Sequence, residues 1–585
     1  MQKQIVECVP NFSEGRDARK IKAITDAIEA VGGAQLLSVE PGADTHRTVV
    51  TFVGPPDAVA DAAFAAIARA KELIDMSVHT GAHPRMGATD VCPFVPVAGV
   101  TMEECVALAK RVGERVGREL QLPVYLYEAA ATRPERRNLA EIRRGEYEGL
   151  PAKLADPAWK PDFGPAHFDA RAGATVIGAR PFLIAYNINL NSTDKQHATD
   201  IAFELRERGR VARAGNTKPY YYRGAQKEYA PDVYPCGTCD FTARTYAATR
   251  AHCDKAHGYE LDTLLRMNDV TPAEVVGHKV YKPGAFRACK AIGWYVSDYG
   301  RAQISINLTN PTETPPHAVF DAAQTLARDR GLTVTGSEVV GLIPYDALLA
   351  AGRHYLSRQG KPLGAPRGDV LKVAVTSLGL GDVAPFDIEK KVLGLPVTPA
   401  DALVRKSVSD FTDEVSRDTP APGGGSIAAL AGALGGALAS MVAGLTHGKE
   451  GTEARDATLA LVAERAQEVK EQLLMAVDED TQAFNAYMGA RRMPDATAAD
   501  KAKRKAAMQA GLRHAAEVPL RTAEASLLAL RLCCDVAPVG LAASVTDAGV
   551  GAAMAFAGVR GAVWNVLVNL HDLEDASVAA ELRDR

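Results

Sequence analysis

Residues 420–448 read PAPGGGSIAALAGALGGALASMVAGLTHG, a Pro-Gly-Gly-Gly-Ser turn running into a helix of small residues. The run from Ala421 to Gly448 carries no formal charge and is long enough to span a bilayer. Ala and Gly dominate it, however, and they gain little from lipid. It therefore reads as the buried helix of a soluble bundle, and no other stretch resembles a membrane span. Gly432, Gly436, Ser440 and Gly444 recur every fourth residue, a stripe that admits close backbone approach. From about residue 404 onward helical periods follow one another with almost no strand-like run, which predicts an all-α bundle domain over 404–585.

Upstream the pattern changes. IVECVP, AQLLSVE, RTVVTFVG, LPVYLYE, FLIAYNINL, AIGWYVS, AQISINLT, VTGSEVVGLIP and LKVAVTSL read as strands rich in Val, Ile, Thr and aromatics. DARKIKAITDAIEAVG, PDAVADAAFAAIARAKELI and TMEECVALAKRVGERVGREL carry apolar residues at helical spacing. Alternating strand and helix predicts α/β layers with mixed sheets. The expected organisation is an α/β subdomain over 1–181, a second over 182–394 with an insertion at 211–283, a linker at 395–403, and the helical domain.

Two short segments carry chemistry. HTGAHPRMGATD (79–90) clusters His79, His83, Arg85 and Asp90 among glycines and a proline. A histidine suits proton transfer near neutral pH, and either His79 or His83 could serve. Their four-residue spacing would suit a metal on a helix, but Gly81 and Pro84 make a helix improbable. Arg47 and Arg85 are candidates for substrate carboxylates, because the planar guanidinium pairs bidentately. In the helical half the turn Gly423-Gly424-Gly425-Ser426 opens a helix whose N-terminal amides suit an anion. It lacks the Lys-Ser/Thr of a nucleotide P-loop. By residue type alone, Asp478, Glu479 and Asp480 are a solvated charge run.

Longer strings carry a resemblance. CVPNFSEGRD, DMSVHTGAHPRMGATDVCPFVPVAGVTMEEC, GEYEGLPAKL, AYNINL and AIGWYVSDYG resemble glutamate formimidoyltransferase. PAPGGGSIAAL, VDEDTQAFNAYM, MQAGLRHAAEVPL and WNVLVNLHDLED resemble formimidoyltetrahydrofolate cyclodeaminase. Together they are similar to the family of fused formimidoyltransferase-cyclodeaminases, over nearly the whole chain except the insertion. The resemblance implies transfer of a formimidoyl group from N-formimidoyl-L-glutamate to tetrahydrofolate. Cyclisation of that product to 5,10-methenyltetrahydrofolate, with release of ammonia, would follow.

The same resemblance places the catalytic histidine at His83 and the cyclodeaminase acid at Asp480. It puts Glu40 where relatives commonly have an aspartate that orients the histidine or binds substrate. It marks Gly164 to Gly173 (with Pro165 and His167) and Gly284 to Gly293 (with Arg287 and Lys290) as folate-contacting stretches, whose glycines would let backbone approach the pterin. It implies a homo-oligomer, a ring-like octamer in the best-known members, with helical domains pairing through the small-residue stripe.

The insertion carries a separate signal. Cys236 and Cys239, then twelve residues, then His252, four residues, and His257 give the Cys2His2 zinc-finger spacing. Tyr234 stands two residues before the first cysteine, Cys253 is a competing ligand, and the usual core positions hold only Ala243 and Thr249. The expectation is a small zinc-finger-like module held by a structural zinc.

The chain's 585 residues suit several domains, and its net charge of −4 gives no reason to expect nucleic acid or anionic membrane as a partner. Nine scattered cysteines fit reduced thiols, and the N-terminus lacks the basic and apolar regions of a secretion signal, so a cytoplasmic location is expected. Two alternatives stand beside the bifunctional enzyme. Only one half could be active, or the chain could be a zinc-dependent scaffold or regulatory folate-binding protein with degenerate sites.

Overall fold

A computed structural model describes residues 4–215, 224–396 and 398–585. Residues 216–223 of the expected insertion and Val397 of the expected linker lie outside the described residues. The chain divides into two compact units, Met1–Ala351 with Val375–Leu395, and Gly352–Ala374 with Pro396–Arg585.

The first unit holds two sheets. In the first, β1 (Ile5–Cys8) and β2 (Asn11–Phe12) run in line between β4 (Arg47–Gly54) and β5 (Thr89–Ala98). Strand β3 (Gln35–Gly42) adds outside β4, and β6 (Val124–Glu128) and β7 (Thr175–Ala179) extend the sheet beyond β5. Pairings among β1 to β5 are antiparallel, whereas β5–β7 and β7–β6 are parallel, so this sheet is mixed. Side chains alternate between faces. Val6, Cys8, Phe52, Cys92, Phe94 and Ile177 join the core under helices α1 (Ala18–Glu29), α2 (Pro56–Leu73) and α3 (Met102–Glu119). The alternate positions turn Glu7, Asn11, Arg47 and Thr51 to the opposite face. Helix α3 starts where Thr101 and Glu104 form a reciprocal capping box, satisfying two otherwise orphaned amides.

The second sheet has the order β9 (Cys289–Val296), β10 (Arg301–Leu308), β8 (Ile184–Leu190), β11 (Val334–Val340). It is antiparallel throughout, not mixed as the sequence pattern suggested. The reason is local: four residues ending in Gly300 (φ +60°) turn β9 straight back into β10. Helices α4 (Lys195–Leu205) and α6 (Pro316–Arg328) cover one face. Between them in the chain lies the insertion, where Tyr234–Pro235 and Thr242–Ala243 pair as a short hairpin ahead of α5 (Tyr246–His257). Tyr229, Cys236, Cys253, Leu261, Leu265 and Val280 are among the residues of its small core.

The second unit is a bundle of α7 (Gly424–Thr446), α8 (Asp456–Arg491), α9 (Ala498–Val536) and α10 (Val545–Leu570). Its core is built largely from Ala, Val and Leu, with Ala439, Val442, Leu459, Ala466, Leu473 and Val536 buried. The small-residue stripe is consumed inside this unit. A Cβ at Gly432 would lie 2.3 Å from Ser526 Oγ, and one at Gly436 would lie 3.1 Å from the Ala466 carbonyl. Ser440 donates to the Gly364 and Ala463 carbonyls. The stripe therefore brings helices of one chain together and is not a free surface for a second copy. Pro519 lies inside α9 and removes the amide that would pair with the Ala515 carbonyl. The Asn569 side-chain amide of α10 donates to that carbonyl instead, at 2.7 Å.

Two expectations change here. LKVAVTSL is not a strand: it belongs to the helix Arg367–Ser377, which buries Val370, Leu371 and Ala374 at helical spacing. Packing overrides the β preference of its Val and Thr residues, since Gly352 of the preceding helix lies directly on the Val370 carbonyl. Second, Ala542–Leu570 also passes the length and hydropathy test for a membrane span, although the sequence pattern singled out only the α7 run. Asp547 and Arg560 interrupt it, which hid it from a search for charge-free runs.

Candidate active sites

On the face of the first sheet opposite α1–α3, Arg47 Nη1 lies 2.8 Å from His83 Nε2 and donates to Asn11 Oδ1 at 2.9 Å. A guanidinium can only donate, so His83 Nε2 is the acceptor and the ring is neutral. Burial, together with the charges of Arg47 and Arg143, pulls the His83 pKa down to about 2, against a small upward pull from the Pro84 backbone. Burial and Arg143 likewise lower Arg47 to about 10. Arg143 is itself paired with Asp90, which is 1 % exposed and accepts from the Met86 amide. The centre is therefore a histidine between two cations, a place that would receive carboxylates.

The loop carrying His83 is fixed by glycines. A Cβ at Gly81 would meet the Thr45 carbonyl at 2.4 Å, and one at Gly87 would meet the Ala174 carbonyl at 2.3 Å. Gly173 (φ +70°) closes on the Met86 carbonyl. The end of the Gly164–Gly173 stretch is thus brought against the histidine loop, whereas Gly164 packs on the Leu122 carbonyl; His167 is exposed and Pro165 half-buried.

His79 and Arg85 form a neighbouring brace. His79 Nε2 donates to the His46 carbonyl at 2.9 Å, its ring stacks on His46, and burial lowers its pKa. Arg85 donates to His79 Nδ1 and grips Glu148 with both terminal nitrogens, at 2.9 and 2.6 Å, and Glu146 at 3.1 Å. Its donors are spent on protein partners, chiefly Glu148, which raises its pKa. Glu40 accepts from Ser38 and pairs with Lys391. Among the described residues it makes no hydrogen bond to His83, so the histidine is oriented here by Arg47.

The face of the second sheet away from α4 and α6 is polar, and Asn187 and Gln303 on it are buried. Glu338 accepts from Asn187 (2.9 Å), Gln303 (2.8 Å) and Tyr299 (3.0 Å), and Gln303 accepts from Trp294 Nε1 at 2.7 Å. Ser297 of the β9–β10 turn bonds Asp44 beside the histidine centre. The glycines of Gly284–Gly293 have a reason other than the expected one. A Cβ at Gly284 would strike the Arg206 carbonyl (2.2 Å), and one at Gly293 the Thr199 amide (2.1 Å), so both are needed for packing on α4. Arg287 and Lys290 are exposed.

In the helical unit the GGGS turn and the acidic segment meet. Asp480 of α8 lies against the first turn of α7, so close that a Cβ at Gly425 would be 2.1 Å from its Oδ1. Ser426 Oγ lies 3.3 Å from Asp480 Oδ2 and 2.7 Å from the Val477 carbonyl. Burial raises the Asp480 pKa, with the Ser426 side chain and backbone opposing. Asp478 plays a different part. It accepts the amides of Leu403 (2.7 Å) and Val404 (3.4 Å) and so caps the turn Leu403–Arg405. Glu479 is in a surface ion pair with Arg521. Beside this turn a groove of about 560 Å³ is lined by Pro422, Gly423, Gly424, Ile427, Trp564 and Asn565.

In the insertion, the ligand atoms of Cys236, Cys239, His252 and His257 all lie within 4.8 Å of one another. Cys239 Sγ is 3.2 Å from His252 Nε2 and 3.3 Å from His257 Nε2. A tetrahedral zinc with ordinary bond lengths sets such S···N edges at about 3.5 Å. Cys253 Sγ approaches Cys236 at 3.9 Å as part of the small core.

Asn11, Arg143, Glu148 and Gln303 were not singled out in the sequence. Strand alternation could have flagged Asn11 and Gln303, as polar residues interrupting apolar strands; Arg143, at a helix end, and Glu148, in a turn, carry no such signal.

Comparison with known proteins agrees with both halves. Residues 5–180 match the family described as "Formiminotransferase domain, N-terminal subdomain", 265–398 match "Formiminotransferase domain", and 407–585 match "Formiminotransferase-cyclodeaminase". The formimidoyltransferase-cyclodeaminase of Rattus norvegicus is 39% identical over 585 residues, covering 100% of this chain and 95% of that protein. A glutamate formimidoyltransferase of Streptococcus pyogenes is 35% identical over 353 residues, 60% of this chain and 93% of its own length. A methenyltetrahydrofolate cyclohydrolase of Methylorubrum extorquens is 38% identical over 176 residues, 30% of this chain and 85% of its own length.

Proposed function

The chain belongs to the formimidoyltransferase-cyclodeaminase family, and from that premise we propose how its two centres divide the chemistry. It is a bifunctional enzyme. One half transfers the formimidoyl group of N-formimidoyl-L-glutamate to tetrahydrofolate. The other cyclises the 5-formimidoyltetrahydrofolate so formed to 5,10-methenyltetrahydrofolate and releases ammonia.

The transfer is assigned to the His83 centre. N5 of the folate attacks the formimidoyl carbon, loses its proton, and the departing glutamate nitrogen gains one. Neutral His83 accepts the first proton and returns it. In the free protein burial, with the charges of Arg47 and Arg143, holds its basicity down. Substrate carboxylates placed on Arg47 and Arg143 would neutralise that field and raise the histidine's pKa as the complex forms. Bound substrate would thus activate its own base.

The cyclisation is assigned to Asp480. N10 of the folate attacks the formimidoyl carbon and its proton passes to the imine nitrogen; with one further proton on that nitrogen the carbon–nitrogen bond breaks, releasing ammonia and leaving the methenyl cation. A carboxyl whose pKa is raised by burial can protonate that nitrogen. The single observation that carries this reading is the meeting of Asp480 with Gly425 and Ser426, two segments more than fifty residues apart.

The insertion is read as a module held by a structural zinc on Cys236, Cys239, His252 and His257, supported by the convergence of those four ligands. A homo-oligomer is supported by the apolar side chains left exposed on α7 and α10, among them Leu434, Met441, Phe556 and Trp564. Free cysteines throughout support a reducing, cytoplasmic setting.

The test is to supply purified protein with N-formimidoyl-L-glutamate and tetrahydrofolate. Glutamate, ammonia and 5,10-methenyltetrahydrofolate should appear in equal amounts. Glutamate without ammonia would restrict the activity to the first half. No turnover would favour a degenerate binding protein.

A further inference from the structure

A short stretch of backbone joins the zinc ligands directly to the transferase unit. Between Cys236 and Cys239, Gly237 lies so close to the strand Tyr281–Lys282 that a Cβ there would be 2.1 Å from the Tyr281 carbonyl. Lys227 Nζ donates to the Cys239 carbonyl (3.3 Å) and the Cys236 carbonyl (3.5 Å), fastening the same knuckle from the other side. Tyr281–Lys282 pairs in turn with Arg210–Val211.

From there the connections run into the second sheet. Lys282 bonds Glu204 at the end of α4 (2.8 Å), and Gly284 packs on the Arg206 carbonyl. The Ala285 and Phe286 amides donate to the Glu204 and Leu205 carbonyls, at 2.8 and 3.1 Å. The Glu207 amide donates to the Cys289 carbonyl, the first residue of β9 (2.9 Å), and Glu207 Oε2 accepts the Ala288 amide (2.9 Å). Strand β9 carries Trp294, which donates to Gln303 on the polar face. The insert's own core is small and includes Cys236 and Cys253, so a metal joining Cys236 and Cys239 to α5 would add a strong tie to the hairpin and Lys227 contacts that shape the knuckle.

Resting on the zinc reading above, we infer that the metal acts as a clamp on the transferase half. By holding the Cys236–Cys239 knuckle against Tyr281–Lys282 it fixes the seam between α4 and β9, and with it the placement of Trp294 and Gln303. The residues concerned all belong to the first unit, so the clamp serves formimidoyl transfer and not cyclisation. Its role is positional, because four protein ligands leave no open coordination place for substrate.

The experiment uses the full chain. Zinc is measured by elemental analysis in protein purified without added metal, then removed with a chelator. Both half-reactions are assayed before and after, cyclisation being followed on supplied 5-formimidoyltetrahydrofolate. Backbone hydrogen exchange is read over residues 204–211 and 280–296. Two variants accompany it: Cys239→Ser with His252→Ala, which removes ligands, and Gly237→Ala, which keeps all four ligands but crowds the Tyr281 carbonyl.

The expected result is about one zinc per chain and, on its removal, a fall of about 10- to 100-fold in transferase kcat/KM. Exchange in the two segments should rise, cyclisation should be unchanged, and zinc should restore the lost activity. Gly237→Ala should retain zinc and still lose transferase activity selectively. Zinc present in the wild type but removable without effect on transfer overturns the clamp and leaves the zinc reading standing. Equal loss of both activities also overturns the clamp. Wild-type protein free of zinc overturns both.

Discussion

The Arg47 guanidinium donates to His83 Nε2 over 2.8 Å, so the nitrogen that would take a proton is held by a cation. That contact is incompatible with a protonated ring, and it couples the histidine's basicity to whatever charge lies on Arg47.

A first prediction concerns that coupling. With its pKa near 2, His83 should contribute no acidic limb near neutrality to kcat/KM for transfer. In Arg47→Met one of the two depressing charges is gone, so the pKa rises and protonation begins at higher pH. An acidic limb should therefore appear in the variant's pH profile, moved upward from the wild type. Identical profiles would show that Arg47 does not set the histidine's state.

A second prediction uses Gly425. A methyl group added to its Cα would overlap the Asp480 carboxyl, 2.1 Å from Oδ1. Gly425→Ala should leave α7 folded, since alanine suits a helix, but displace the acid. A misplacement of about 1 Å can cost about 10²-fold in rate, and cyclisation should fall by that order with transfer retained. An unaffected cyclisation rate would separate Asp480 from the chemistry.

Asp478 gives the contrasting case. It caps the turn at Leu403–Arg405 through two backbone amides. Asp478→Ala should cost about 1 kcal/mol of stability in the helical unit, seen as a lowered melting transition. The cyclisation rate constant of the folded variant should be unchanged. A large loss of rate without loss of stability would reassign the acid.

Glu7 predicts a pH dependence of stability. It is 2 % exposed, and burial raises its pKa from 4.5 to about 7, with Arg180 opposing. A raised carboxyl pKa favours the protonated folded form. Its contribution is therefore full below pH 4.5 and lost as pH rises through 7. That span corresponds to about 3 kcal/mol at most. Glu7→Gln, which stays neutral, should match the wild type near pH 4.5 and melt at a higher temperature at pH 8. Equal melting temperatures at pH 8 would refute this account of Glu7.

Much of the architecture was legible in the residues. The change from alternating strands and helices to uninterrupted helical periods near residue 404 marks the bundle, and the HTGAHPRMG and PAPGGGS strings locate both centres. What escaped was long-range. Nothing in the spacing of VDEDTQAF tells Asp478 from Asp480, because one caps a turn 75 residues upstream and the other meets a turn 54 residues upstream. Arg85 reads as a carboxylate anchor for substrate until Glu146 and Glu148 are brought onto it. Gly284 and Gly293 read as room for a ligand, whereas the helix α4 fills that room. The helix at LKVAVTSL was hidden because its burial comes from partners that local propensity does not register.

The central claim is that one chain carries two independent centres, and both half-reactions assayed on two full-length variants test it most directly. His83→Ala should lose formimidoyl transfer by about 10²- to 10⁴-fold while cyclising supplied 5-formimidoyltetrahydrofolate at the wild-type rate. Asp480→Asn should do the reverse, releasing glutamate normally and accumulating 5-formimidoyltetrahydrofolate without ammonia. Either substitution abolishing both reactions, or leaving its assigned reaction intact, would contradict the account.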